Sequence, residues 1–191
     1  MLFYTNFVDM KKLIFLLLLA ILSASLHAQS IGQIHYGDQI FSTCLPPYDD
    51  NLLPEDQPLM SPERLQKALE CVENTFGKVK EYHEYWGQCC GIHHLRVTLI
   101  TDECVDFEDG CLTTMMITTP RFVVAKEYFR GGLCVGQKPG APILDKVKVS
   151  PPGEERCVDF ELLDKKATVT RGYQLDSDGK IVSIWLILDD I

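Results

Sequence analysis

The clearest hydrophobic pattern in the chain lies between residues 61 and 77. Ser61 can cap the first helical amides, Pro62 suits the first helical position, and Glu63 favours the positive end of the helix dipole. Gly77 is a common helix terminator. Apolar residues recur at helical spacing in between, at Leu65, Ala68, Leu69, Val72 and Phe76. The pattern predicts one amphipathic helix that buries this stripe.

The segment that follows, residues 78–86, has two interpretations. Val79, Tyr82 and Trp86 roughly continue the helical stripe. The density of tyrosine and tryptophan favours a strand after a glycine cap. Both interpretations stay open at this point.

From residue 95 onward the alternation of apolar and polar residues predicts β-structure. The last segment is apolar on both faces apart from Ser183, so we expect a central strand covered on both sides, with Trp185 in the core. The predicted strands are residues 95–99, 112–118, 122–129, 143–149, 158–162, 169–175 and 181–188.

Turn-forming residues divide these elements. Residues 176–179, Asp-Ser-Asp-Gly, predict a hairpin loop with glycine at a positive φ, and a turn is also expected at residues 108–110. The glycines and prolines of residues 131–142 predict a long flexible loop between two strands, a type that is often functional. Residues 29–60 are rich in proline and lack periodicity, so we expect an irregular arm tethered by Cys44.

The first 28 residues have the pattern of a secretory signal. Lys11 and Lys12 precede ten apolar residues, 13–22, and small residues lead to Ala28, where we expect cleavage. The apolar run is too short for a bilayer core of roughly 30 Å. We therefore expect an exported protein, periplasmic or secreted, with no membrane anchor after cleavage. The expected organisation is a signal at 1–28, the arm at 29–60 and one α+β domain at 61–191.

Two stretches resemble the nuclear-transport-factor-2-like superfamily, whose members have a cystatin-like α+β fold. Residues 60–65 leading to 76–79 are similar to its capped helix, which ends with a Phe-Gly pair, and residues 158–161 through 178–184 are similar to its closing hairpin. The resemblance implies one main helix packed on a curved, mostly antiparallel sheet, with a pocket at one end. The superfamily contains isomerases, dehydratases and non-enzymatic binders, and its steroid-isomerase catalytic residues match no position here.

Cysteine usage points to the same compartment. The eight cysteines all follow the signal, and an even number in an exported protein is typical of a disulfide framework. We expect all eight to be oxidised, stapling the domain, with Cys104 and Cys111 paired across a hairpin. The eight are Cys44, Cys71, Cys89, Cys90, Cys104, Cys111, Cys134 and Cys157.

Candidate metal ligands are concentrated in one region. His93 and His94 follow the adjacent pair Cys89 and Cys90, and His83 lies upstream, so that His83 could converge with His93 or His94 on zinc or copper. Ordinary zinc sites space their ligands by two or more residues, however, and oxidised cysteines are not ligands. We expect disulfides and surface histidines, with no metal and no other cofactor.

Paired carboxylates occur at residues 102–103, 108–109, 154–155 and 189–190, and we expect them in solvated turns and at strand ends. Asp176 and Asp178 lack the later glutamate of a calcium-binding loop, and a hairpin turn explains them. A free catalytic cysteine is not expected where all can pair.

Charge excludes one class of partner. The net charge is −9, and loss of the signal, with two lysines and one aspartate, changes it to −10, which disfavours nucleic acid. We expect a non-enzymatic binding role toward a small apolar ligand or another exported protein. The alternatives are a pocket enzyme of the isomerase or hydrolase type and a metal-binding protein. The oligomeric state stays open.

Overall fold

The computed structural model describes residues 33–88, 91–163 and 172–187. Within these ranges the chain forms one α-helix and one antiparallel sheet of eight strands, as an α+β protein. The elements are α1 (Pro62–Phe76), β1 (Val79–Trp86), β2 (His93–Leu99), β3 (Cys104–Glu108), β4 (Cys111–Ile117), β5 (Val147–Val149), β6 (Cys157–Leu162), β7 (Gly172–Leu175) and β8 (Ile181–Ile187). Short 3-10 turns lie at Ser42–Cys44 and Pro54–Asp56.

The strand order in the sheet is β1-β2-β3-β4-β8-β7-β6-β5. Two four-strand meanders, β1 to β4 and β5 to β8, are therefore joined where β4 pairs with β8. This pairing places the last strand between β4 and β7, which confirms the central position predicted for it. The residues that the structure describes belong to one compact unit.

The helix begins and ends where the sequence predicts. The Ser61 Oγ accepts a hydrogen bond from the Arg64 amide, and Pro62 occupies the first turn. Gly77 ends the helix with φ 107°, a conformation that favours glycine. The buried stripe consists of Ala68, Val72 and Phe76, while Leu65 and Leu69 are partly buried.

The open question about residues 78–86 is resolved as a strand. After the turn at Gly77, β1 pairs along its length with β2, from Val79 opposite Leu99 to Trp86 opposite His93. Because β1 lies at the sheet edge, most of its side chains are exposed or half-buried.

Side chains alternate across the sheet and define two faces. The core face carries buried residues such as Leu95, Val97 and Phe107, and the opposite face, which we call the outer face, carries Arg96 and Asp106. Arg96 and Asp106 form an exposed ion pair of 2.9 Å across β2 and β3. The hydrogen bonds with Asp106 raise the pKa of the Arg96 guanidinium.

The connection between β4 and β5 differs most from prediction. Residues 122–129 form no strand, because Ala125 has φ 54° and Val124 makes only an isolated bridge with Leu133. The segment instead packs on the core face: the Phe122 ring lies 6.1 Å from Phe76 and the Phe129 ring 5.1 Å from Phe160. Part of the glycine-rich loop thus belongs to the core, with Leu133 and Val135 buried. Of predicted strand 143–149 only Val147–Val149 pairs with β6.

The arm before the helix also contributes to the core. Ile34, Tyr36, Phe41 and Met60 are buried, and the Phe41 ring packs 5.1 Å from that of Phe107. Irregular backbone therefore covers much of the core face together with α1. Within the described ranges, no helix has the length and apolar character needed to cross a membrane.

Both predicted hairpin turns are present. The turn between β3 and β4 places Asp109 and Gly110 at positive φ, 46° and 79°, as a two-residue hairpin requires. In the β7–β8 loop Gly179 has φ 75°, and the Asp176 carboxylate accepts from the amides of Asp178 and Lys180. Turn formation accounts for Asp176, as the sequence predicted.

Candidate functional site

Trp185 lies on the outer face of the sheet. Its neighbours Ile184 and Leu186 point into the core and are buried, whereas Trp185 is half-buried and its partner in β4, Met116, is 37% exposed. The prediction of Trp185 as a core residue, on a strand covered on both sides, is therefore wrong. The helix, the arm and the 118–146 segment all contribute buried side chains to the core face. Trp185 remains accessible because it lies on the opposite face.

A cleft of about 630 Å³ opens beside this tryptophan. We call it the Trp185 cleft. Its volume lies in the range typical of ligand sites, roughly 300–1,000 Å³. The lining comes from β6, β7 and β8 and from one residue shortly before β6. The residues are Glu155, Cys157, Asp159, Gly172, Tyr173, Gln174 and Trp185.

The strand register explains why a gap exists there. Asp159 pairs with Gly172, the β7–β8 register sets Gly172 opposite Trp185, and Trp185 pairs with Met116. Only a glycine therefore separates the carboxylate of Asp159 from the indole. A Cβ added at Gly172 would lie 1.7 Å from the carbonyl oxygen of Val158, so the close approach of β6 and β7 requires glycine.

The charged side chains among the described lining residues are negative. Glu155 and Asp159 are exposed, and neither has an ion-pair partner in the part of the chain that the structure describes. The nearest cation in sequence, Arg156, donates from Nη1 to the carbonyl oxygen of Asp176 at 2.7 Å. Burial raises the pKa of the Tyr173 phenol, whose ring packs near Phe129.

One buried hydroxyl adjoins the cleft without a partner. Ser183 lies opposite Gln174 in the register and two residues before Trp185 on the same strand. The residue is 8% exposed, and its Oγ has no hydrogen-bond partner among the described residues. Such a group has spare capacity to donate or accept a hydrogen bond.

The predicted disulfide framework is not present in the described ranges. Six cysteines there are free thiols: Cys44, Cys71, Cys104, Cys111, Cys134 and Cys157. The expected bridge between Cys104 and Cys111 is wrong because the register pairs Cys104 with Met116 and Cys111 with Glu108, at opposite ends of the hairpin. Four residues along a strand span about 13 Å, beyond the 7 Å limit for bridged Cα atoms. Cys89 and Cys90 lie outside the described residues.

The three candidate metal ligands point to different faces. His93 lies on the core face and is fully buried, whereas His94 and the exposed His83 lie on the outer face, on either side of Tyr85. Convergence of His83 with His94 is limited by Tyr85, whose ring stacks on His94 at 4.8 Å. Within the described ranges no group of three His, Cys, Asp or Glu side chains is close enough to hold a metal ion.

His93 is a structural residue and not the surface residue that was expected. Its Nε2 lies 2.8 Å from Glu84 Oε1, which also accepts the Met60 amide at 2.7 Å. The Trp86 ring packs edge-on against the imidazole at 5.3 Å. This network joins the arm to β1 and β2.

One predicted carboxylate pair also differs from expectation. Asp102 is exposed and pairs with Lys80, but Glu103 is fully buried. Glu103 accepts hydrogen bonds from Arg121 and Thr119, at 2.5 Å each. Of the pair at 154–155, Glu155 lines the Trp185 cleft, and the pair at 189–190 lies outside the described residues.

A second cavity, of about 460 Å³, lies between α1 and β1 and is lined in part by Leu65, Leu69 and Tyr82. Its carboxylate Glu73 already accepts Lys78 Nζ at 2.7 Å and the Val79 amide. The hydrogen bond with Lys78 is the main cause of the lowered pKa of Glu73. The Trp185 cleft, by contrast, combines an accessible aromatic ring with carboxylates that have no such partner in the described part of the chain.

No protein-family model matches this chain, and neither does a curated protein or a solved structure among those compared with it. The candidate site therefore depends on geometry alone. Sequence patterns did contain one signal for it: Asp159 alternates with Val158 and Phe160, which places it on the face away from the core. The sequence did not show that this face also carries Trp185.

Proposed function

We propose that this chain is an exported, non-enzymatic binding protein that contacts another protein through the Trp185 cleft. The observation that carries the proposal is the half-buried Trp185 in the lining of a cleft of about 630 Å³. Tryptophan is enriched among the residues that dominate protein interfaces, because it buries a large area with few rotatable bonds.

The packing of the interior supports a surface site. The core face is filled by aromatic side chains from four parts of the chain, among them Phe41, Phe76, Phe107, Phe122 and Phe129. Ring contacts join Phe41 to Phe107, Phe107 to Phe76 and Phe76 to Phe122 at centroid distances of 5.1 to 6.1 Å. Phe129 packs 5.1 Å from Phe160. A small apolar ligand would need space in such a core, so a partner on the outer face fits the packing better.

The cleft favours binding over acid–base catalysis. Catalytic carboxylate pairs have environments that separate their pKa values, but Glu155 and Asp159 are both exposed to solvent. A cysteine nucleophile needs a neighbouring base, whereas the contact of Cys157 Sγ is with the carbonyl oxygen of Glu155 at 3.9 Å.

Export is part of the proposal and is supported by the signal pattern of residues 1–28. The curvature of the sheet and the resemblance to the nuclear-transport-factor-2-like superfamily also remain proposals, supported by the order of one helix followed by an antiparallel sheet. They concern the fold and add no catalytic residue.

The test is a selection of random-sequence peptides against the purified full chain, followed by titration of retained peptides. We expect peptides that bind the wild type and lose binding to Trp185→Ala. Tyr82→Ala is the matched control, because Tyr82 is an aromatic residue 48% exposed on β1, outside the cleft. Retained peptides that bind both variants equally, or a selection that retains none, would contradict the proposal.

A further inference from the structure

We infer that the segment recognised by the Trp185 cleft is basic, with a lysine or arginine side chain placed over the Trp185 ring and between the carboxylates of Asp159 and Glu155. This inference deepens the proposed function and depends on it. It assigns the chemical class of the partner.

The charge of the cleft lining favours a basic segment. Glu155 and Asp159 are exposed, and the described lining contains no cationic side chain. The adjacent Arg156 is held at the carbonyl oxygen of Asp176. The chain as a whole carries a net charge of −9. An acidic or phosphorylated segment would be repelled, whereas a basic one is attracted over the Debye length.

The spacing between the Asp159 carboxylate and the Trp185 ring suits a bound cation. Asp159 and Trp185 are on strands β6 and β8, separated by Gly172 on β7. With neighbouring strands about 4.8 Å apart, their Cα atoms are separated by roughly 10 Å. An ammonium about 2.8 Å from a carboxylate oxygen and within about 6 Å of an indole centroid fits this interval. The cleft that Asp159, Gly172 and Trp185 line provides that space.

The size of the cleft and the exposed Met116 beside it favour a segment of a protein over a free amine. The volume of the cleft can accommodate more than one side chain of a partner. On the β4 side, Trp185 pairs with Met116, which is 37% exposed. A residue next to the bound cation can pack on this methionine, a contact that a free amine cannot make. The buried Ser183 hydroxyl, opposite Gln174, has no hydrogen-bond partner among the described residues.

The experiment titrates the purified full chain with an amidated peptide of alternating lysine and serine by isothermal titration calorimetry, so that Trp185 is not itself the reporter of binding. We expect binding that weakens about tenfold in Trp185→Ala, from loss of the ring. Asp159→Asn weakens it about threefold to fivefold, the range for an exposed ion pair. Raising the salt concentration from about 50 mM to about 500 mM weakens it as well.

Two control variants and two control ligands separate the possible outcomes. Asp50→Asn removes the same charge from an exposed position in the arm, and Tyr82→Ala removes an exposed ring. We expect both to bind as the wild type does. The control ligands are the same peptide with norleucine in place of lysine, and lysine amide at an equal concentration of cation.

If the norleucine peptide binds as tightly as the lysine peptide, the basic class is wrong while the binding function stands. If lysine amide binds as tightly as the peptide, the partner is a small amine and the segment is wrong. If Asp50→Asn weakens binding as much as Asp159→Asn, the attraction is due to net charge and the inference fails. Peptide binding unaffected by Trp185→Ala would contradict the proposed function itself. Circular dichroism of each variant establishes that it is folded, and Asp159→Asn on the exposed face keeps the test decisive should Trp185→Ala not fold.

Discussion

The Arg121 Nη2 donates a hydrogen bond of 2.5 Å to Oε2 of Glu103, whose side chain is 1% exposed. The same nitrogen also donates to the carbonyl oxygen of Phe76, at the end of α1. The guanidinium lies 5.0 Å from the Phe122 ring centroid. One ion pair thus joins the helix, the turn before β3 and the segment after β4.

Removal of either partner of this pair should be strongly destabilising, because it leaves the other charge without its counterion. We expect Glu103→Gln and Arg121→Met each to lower the free energy of unfolding by about 3–5 kcal/mol, and the double variant to lose less than their sum. Urea denaturation measures all three. Asp102→Asn, which breaks the exposed pair with Lys80, is the control and should cost at most about 1 kcal/mol. Equal losses for Asp102→Asn and Glu103→Gln would contradict the role assigned to the buried pair.

His93 and His83 should respond differently to substitution. His93→Phe removes the hydrogen bond to Glu84 in a fully buried position, and we expect the free energy of unfolding to fall by about 1–3 kcal/mol. His83→Phe, on the exposed side of β1, should stay within about 0.5 kcal/mol of the wild type. Thermal or chemical denaturation distinguishes them. Similar stabilities for both variants would contradict the structural role of His93 and would support the expectation of a surface histidine.

Gly172 should tolerate no side chain. In Gly172→Ala the new Cβ meets the carbonyl oxygen of Val158, so β6 and β7 must separate, at a cost of about 1–3 kcal/mol. Gly153→Ala is the matched control because nothing lies within 4 Å of a Cβ there. A denaturation midpoint for Gly172→Ala equal to that of Gly153→Ala would show that the close approach of the strands is not required.

The loop at Asp176 should make a pH-dependent contribution to the stability of the fold. The amide of Lys180 above all, and that of Asp178, lower the pKa of the Asp176 carboxyl from its ordinary value of 3.8. The folded pKa is thus below the unfolded one, and the stabilisation is present above the unfolded pKa and lost as pH falls through the folded value. Asp176→Ala should lower the melting temperature at neutral pH, and the difference from wild type should shrink on acidification. Asp178→Ala is the control, and a difference independent of pH would contradict the assignment.

Peptide mapping without reduction tests the position of Cys104 and Cys111 on their hairpin. Because the register separates them by about 13 Å, we expect no peptide in which these two are linked to each other. Alkylation of the unfolded chain with and without reductant provides the control, because it counts the free and the oxidised thiols before digestion. A linked Cys104–Cys111 peptide would mean that the β3–β4 register differs from the one described.

The sequence by itself determined the elements whose interactions are local. The bounds of α1 depend on Ser61, Pro62 and Gly77, which act within one turn of the helix, and the structure confirms them. The hairpin turns at Asp109-Gly110 and Gly179 likewise depend on the φ angles that these residues permit. Alternation in β2 and β6 was readable because one face of each strand is buried.

Only the tertiary structure decided which distant segments meet. The pairing of β4 with β8 determines that Trp185 lies beside Met116, and the β6–β7–β8 register brings it near Asp159, 26 residues earlier. Periodicity cannot report such pairing, since an apolar strand looks the same whether one or both faces are covered. The same holds for Glu103 and Arg121, 18 residues apart, whose partnership depends on how the segment after β4 folds over the core. Local propensity sets the strands, and the long-range packing of irregular segments decides which of their faces remains open for binding.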